Sequence, residues 1–144
     1  MTDDSKGAAG PEDADLGCHL SILNNGPNTW SLKSSDCSSG GFTRPLPSSV
    51  PFGPFEVRAR GTHGSATGCV FQFTYALDDD GTTVTVKCDI PYIGDDSFDV
   101  SVAGANKDRY TVATLPDPVV PSNDPNEDYL TADVEVTYTP PPPE

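Results

Sequence analysis

GCVFQFTYALDDDGTTVTVKCDIPYIG, residues 68–94, decides the fold. At its centre Asp78-Asp79-Asp80-Gly81 reads as a turn. Aspartate side chains bond nearby backbone amides there, and glycine takes the positive φ that a tight bend needs. Before the turn, Cys69, Phe71, Phe73, Tyr75 and Leu77 occupy every second position. After it, Val84, Val86, Cys88 and Ile90 do the same. A period of two is that of a strand with one buried face. With the DDDG loop, opposed residue numbers sum to an odd value, so both apolar rows fall on one face of a hairpin. Such a face has to be covered by another layer.

Outward from the hairpin the same period recurs. Cys18, Leu20 and Ile22 share a face, Asn25-Gly26 marks a turn, and Trp30 and Leu32 form the next inward pair. FTRPL (42–46) reads as a short edge strand, since Pro45 cannot donate to a ladder. Phe55, Val57 and Ala59 alternate with Glu56, Arg58 and Arg60. Further strands carry Phe98, Val100 and Val102; Tyr110, Val112 and Thr114; and Leu130, Ala132, Val134, Val136 and Tyr138. The 15 prolines and 13 glycines break any helical period. The expected fold is all-β: an antiparallel β-sandwich of eight or nine short strands.

Residues 1–15 lack large apolar side chains after Met1 and read as a disordered acidic tail. Residues 140–144 are a proline-rich tail, which leaves 16–139 for one domain. With 22 acids against 8 bases, the formal charge is −14. That excludes nucleic acid, whose binding needs basic surface, and disfavours anionic membranes. A zwitterionic headgroup, a glycan, a cation or a basic protein stays open. The plain reading of the charge is solubility, or a salty habitat.

The N-terminus has no basic start followed by an apolar run, and nothing approaches membrane-spanning length. The cysteines Cys18, Cys37, Cys69 and Cys88 form no C-x-x-C pair, which argues against zinc. Two disulfides would suit a small extracellular β domain, so an exported protein is expected, with cytoplasmic storage as the alternative. Three connectivities exist. Cys18–Cys37 with Cys69–Cys88 is preferred because each would join neighbouring strands; buried free thiols are the competing reading.

Catalytic patterns are weak. His19 and His63 have no spaced partner, no G-x-S-x-G elbow occurs, and the acids cluster in turns where water screens them. The expectation is a non-enzymatic protein without a cofactor. Calcium is the one rival: Asp78 with Asp80, Asp95 with Asp96 and Asp99, and Asp124 with Glu127 and Asp128 offer hard oxygens. None has EF-hand spacing.

Aromatic side chains are the remaining constellation. Trp30, Phe52, Tyr75, Tyr92, Tyr110, Tyr129 and Tyr138 outnumber what a thin core needs. Tyr92 follows Pro91 at a strand end. There a ring can stack on a sugar or cap a quaternary ammonium, or else plug the end of the sandwich. Trp30, Phe52, Tyr75 and Tyr92 are the aromatic binding candidates.

The order of features resembles the actinoporin-like β-sandwich cytolysins and, more loosely, the aegerolysins. The likeness runs over about residues 20–102. It comprises Ile22 and Asn24, the loop Ser38-Ser39-Gly40, and Pro47, Val50, Pro51 and Gly53. Gly68 before Phe71-x-Phe73-x-Tyr75 follows, then Ile90-Pro91-Tyr92-x-Gly94. The resemblance implies a sandwich that recognises a sphingolipid-type headgroup and oligomerises at a membrane. It places Pro91 and Tyr92 in a choline pocket, Ser49 and Val50 on its small-residue wall, and Phe52 on the membrane-facing rim. Asp95 and Asp96 stand where further tyrosines are expected. An insertable N-terminal amphipathic helix is also implied, but the acidic tail with Gly10-Pro11 has no hydrophobic face to bury. Toxin-like membrane binding without perforation, or with a partner protein, is therefore expected. A lectin-like or effector sandwich that binds sugar or protein is the alternative.

Overall fold

The computed structural model describes residues 17–61, 68–90, 97–115 and 129–142. Two five-stranded sheets pack face to face. The strands are β1 (Gly17–Asn25), β2 (Trp30–Ser39), β3 (Gly41–Phe42), β4 (Ser49–Val50), β5 (Gly53–Arg60), β6 (Cys69–Ala76), β7 (Thr83–Ile90), β8 (Ser97–Ala103), β9 (Tyr110–Leu115) and β10 (Tyr129–Tyr138). The first sheet has the order β3-β5-β1-β10-β9, and the second β4-β2-β6-β7-β8. A 3₁₀ turn, Lys107–Arg109, precedes β9.

The β6–β7 hairpin keeps the register set by its turn, with Cys69 opposite Ile90 and Tyr75 opposite Val84. Both of its apolar rows face inward: Phe71, Phe73, Tyr75, Val84, Val86, Cys88 and Ile90 are buried. Leu20, Ile22, Val57, Leu130, Ala132, Val134 and Val136 meet them from the other sheet. Their burial drives the two layers together.

Three features differ from the sequence expectation. Ten strands form among the described residues, two of which, β3 and β4, have only two residues each. FTRPL supplies only Phe42 to a strand; beyond it Pro45 and Pro47 take the chain along the sandwich edge. The architecture is also not purely antiparallel, since β1 and β10 pair in parallel from Gly17↔Tyr129 to Asn25↔Thr137. A parallel pair needs a long crossover, and here nearly the whole chain serves as one.

The sandwich has two distinguishable ends. At the hairpin end lie the 77–82 bend, the start of β2, β4, the start of β5 and Tyr110 beside Tyr138. At the cysteine end lie Cys18, Cys69, Ile90 and Ser97.

Candidate functional site

The hairpin end is built on an aromatic wall. Trp30 meets Phe55 edge-on at 6.2 Å between centroids and Tyr75 at 6.0 Å; Phe55 and Tyr75 are 5.5 Å apart. The T-shaped contacts satisfy the ring quadrupoles as well as burying area. The Tyr75 hydroxyl donates to the Pro47 carbonyl at 2.7 Å, and burial pushes its phenol up to about 12. Val50 pairs with Trp30 across β2–β4. Asn24, buried on β1, donates from Nδ2 to the Val50 carbonyl at 3.0 Å and to that of Asn28 at 2.9 Å. One amide thus ties the 26–29 turn and the β4 bend to the first sheet.

That fastening presents the short bend Ser49-Val50-Pro51-Phe52-Gly53-Pro54. Phe52 sits at its tip with 69% of its surface exposed. Gly53 follows at φ +127°, a conformation that side-chain-bearing residues avoid. Pro51 and Pro54 stiffen the approach on both sides. Ser49 is exposed beside it.

The sequence candidates therefore divide. Phe52 and Ser49 are offered to solvent. Trp30 (2% exposed), Val50 (2%) and Tyr75 (0%) are core, which corrects the expectation that the two rings face a ligand. They support the bend from behind. The error came from judging the core too thin: the two sheets enclose more aromatic volume than a strand-by-strand reading suggests. Pro91, Tyr92, Asp95 and Asp96 lie outside the described residues, as do His63, Asp124, Glu127 and Asp128. Their described flanks, Ile90 and Ser97, stand at the cysteine end. β7 separates that end from the Phe52 end by about 24 Å at ~3.4 Å per residue.

Beside the bend, the aspartate turn is locked by side chains. Asp78 Oδ1 accepts from the amides of Asp80 (2.9 Å) and Thr82 (3.1 Å). Asn106 donates from Nδ2 to Asp78 Oδ2 at 3.0 Å and to Asp80 Oδ2 at 3.1 Å, while its amide N–H reaches Thr82 Oγ1 at 3.0 Å. The Asn106 amide thus occupies the space between carboxylates that a cation would need. Among the described residues no group of three or more His, Cys, Asp or Glu is placed to hold a metal.

Burial alone would raise Asp78, but the bonds from Asn106, Asp80 and Thr82 outweigh it and hold its carboxyl below the usual range. A depressed carboxyl stabilises the fold above about pH 4, and that contribution is lost as acid protonates it. Asp78→Ala should therefore cost roughly 1–2 kcal/mol in urea titrations at pH 7. The gap to wild type should narrow on going to pH 3; a gap independent of pH would contradict the charged-acceptor role.

A second concavity lies on the outer face of the β4-β2-β6-β7-β8 sheet. It is a groove of about 260 Å³ lined by Asp36, Ser38, Gln72, Lys87, Asp89 and Ser97. Gln72 lies opposite Asp36 on one side and Lys87 on the other, which sets acid, amide and ammonium in a cross-strand row. The sequence reading missed this groove. Gln72, Lys87 and Asp89 are the polar alternates of the hairpin's own apolar rows, so their common face was legible, whereas the share of β2 and β8 in the groove depends on strand pairing.

No family model and no curated protein matches the chain. Its fold does match solved structures. IP-1A from Alcaligenes faecalis superposes with a TM-score of 0.64 at 14% identity, covering 89% of this chain and 95% of that one. RahU, solved in complex with TRIS, gives 0.63 at 13% identity, covering 88% and 97%. The lipid binding protein Nakanori gives 0.62 at 14% identity, covering 87% and 71%. At these identities the likeness is one of architecture, and the chain is a β-sandwich built on the plan that these three proteins share.

Proposed function

We propose that the protein is a non-enzymatic membrane-binding module that recognises a zwitterionic, sphingolipid-type headgroup through the hairpin end of its sandwich. The observation that carries this reading is Phe52: a large apolar side chain held out at the tip of a proline-braced bend. A solvent-facing phenylalanine on a rigid support is suited to the acyl–headgroup boundary, where its ring leaves water without any rearrangement of the fold. The net charge of −14 turns the preference towards zwitterionic surfaces, since anionic lipid would repel it. The shared plan with Nakanori, a lipid binding protein by its description, supports the same reading. Among the described residues no helix is long and apolar enough to cross a membrane. Sedimentation with sphingomyelin vesicles, but not with phosphatidylserine vesicles, is the expected result. Failure to sediment with any lipid would end the proposal.

The outer groove favours a second reading, glycan recognition. Carboxylate, amide and ammonium groups spaced along a cross-strand row suit the vicinal hydroxyls of a sugar. A glycan array separates the two readings: Lys87→Ala and Asp89→Ala would weaken sugar binding and leave vesicle binding unchanged.

A further inference from the structure

Cys18 and Cys88 come from strands that are far apart in the chain and on opposite sheets. Cys18 faces inward from β1, where it lies opposite Ala59 and beside Leu130. Cys88 faces inward from β7, opposite Phe71 and Phe98. Both are buried within one core cluster, at 0% and 1% exposure. Their thiols meet across the inter-sheet gap, with Cys88 acting as hydrogen-bond partner of Cys18. Cys69 is also buried and faces inward from the second sheet, but it acts on Cys18 only through charge and not as a hydrogen-bond partner. Cys69 stands opposite Ile90, two residues out of register with Cys88 on the same sheet. Diagonal neighbours in a ladder lie about 7–8 Å apart, too far for an unstrained bridge. Cys37 is on β2 of the second sheet and only partly buried, opposite Phe71 rather than facing Cys18.

We propose that Cys18 and Cys88 are a disulfide-forming pair that staples the two sheets through the core. This replaces the Cys18–Cys37 and Cys69–Cys88 pairing expected from the sequence. All four cysteines are unbridged in this structure. The oxidant is a low-molecular-weight disulfide. One cysteine thiolate attacks it, releases one small thiol and leaves a mixed disulfide on the chain. The second thiolate then displaces the other small thiol, and the protein pair loses two hydrogens while the small disulfide gains them.

Timing follows from burial. Contact with Cys88 and desolvation push the Cys18 thiol far up, and burial pushes Cys69 up to about 12. The thiolate is the attacking species, so the folded reduced protein resists oxidation and the bridge closes while the sheets are still coming together. It then closes a loop of about 70 residues, long enough for a large loss of unfolded-state entropy.

The test is to refold the urea-denatured, reduced full chain in a buffer of reduced and oxidised glutathione and map the peptides without reduction. A Cys18–Cys88 linked peptide, a mass two daltons lower per bridge and a Tm higher by on the order of 10 °C than the reduced protein are expected. Cys69→Ala should keep both the linked peptide and the Tm difference, while Cys88→Ala should lose both. A map dominated by Cys18–Cys69, Cys18–Cys37 or Cys69–Cys88, or by four alkylatable thiols after equilibration, overturns the proposal. The wild-type map decides the question even where a core variant fails to fold.

Discussion

Phe52→Asp should abolish sedimentation with sphingomyelin vesicles, and Phe52→Ala should weaken it by about 10- to 100-fold. The magnitude follows from the area the ring removes from water: fully burying a phenylalanine side chain contributes roughly 1.5–3 kcal/mol. Aspartate adds the cost of moving a charge towards the acyl region, on a protein whose charge is already strongly negative. Stability should hardly move, because a side chain 69% exposed at a bend tip gives up little packing when it is shortened. Unchanged urea midpoints combined with lost binding would therefore locate the contact at this bend. Trp30→Ala makes the contrasting control. Trp30 packs on Phe55 and Tyr75 and pairs with Val50, so its removal should unfold or loosen the whole end. Vesicle binding by Phe52→Ala that equals wild type would move the site elsewhere, with the outer groove the next place to look.

The fold was legible because the hairpin carries its own register. A four-residue aspartate–glycine turn leaves only one way to lay Phe71, Phe73 and Tyr75 against Val84, Val86 and Cys88, and the structure has that register. The parallel β1–β10 pair was not legible. Cys18, Leu20 and Ile22 alternate in the same way whatever strand lies beside them, so period two fixes the face and says nothing of the neighbour. The same limit applies to the cysteines: the sequence reading paired strands adjacent in the chain, whereas the proposed Cys18–Cys88 pair joins facing sheets. At the candidate site, Phe52 was singled out as a surplus aromatic and by the resemblance, and its exposure fits the Pro51 and Gly53 on either side of it. Trp30 and Tyr75 were misplaced because an aromatic on an inward row looks the same in sequence whether a loop lies over it or solvent does. Here the Pro47 carbonyl accepts the Tyr75 hydroxyl, and Val50 of β4 pairs with Trp30.

Gly104→Ala should destabilise the protein by roughly 3 kcal/mol or more, the largest loss expected from adding one methyl group anywhere near this end. Two costs combine. Gly104 sits at φ +114°, where an L side chain strains the backbone. A Cβ there would also lie 2.5 Å from the Gly81 carbonyl oxygen and 2.7 Å from the Thr82 Cα. Both are backbone atoms of the aspartate turn, so no side chain can swing aside to make room. The two loops would have to separate, and separation breaks the contacts between Asn106 and its partners Asp78, Asp80 and Thr82. Gly81→Ala is the internal comparison. It shares a positive φ, +89°, but a Cβ there meets nothing within 4 Å, so only the backbone strain of about 1–2 kcal/mol remains. Urea unfolding of the two variants side by side should therefore separate clash from strain. In Gly104→Ala a further Asp78→Ala change should cost less than it does in Gly81→Ala, because the bond from Asn106 is already broken while those from the Asp80 and Thr82 amides remain. Equal losses in the two glycine variants would mean that close approach of the loops plays no part in holding this end together.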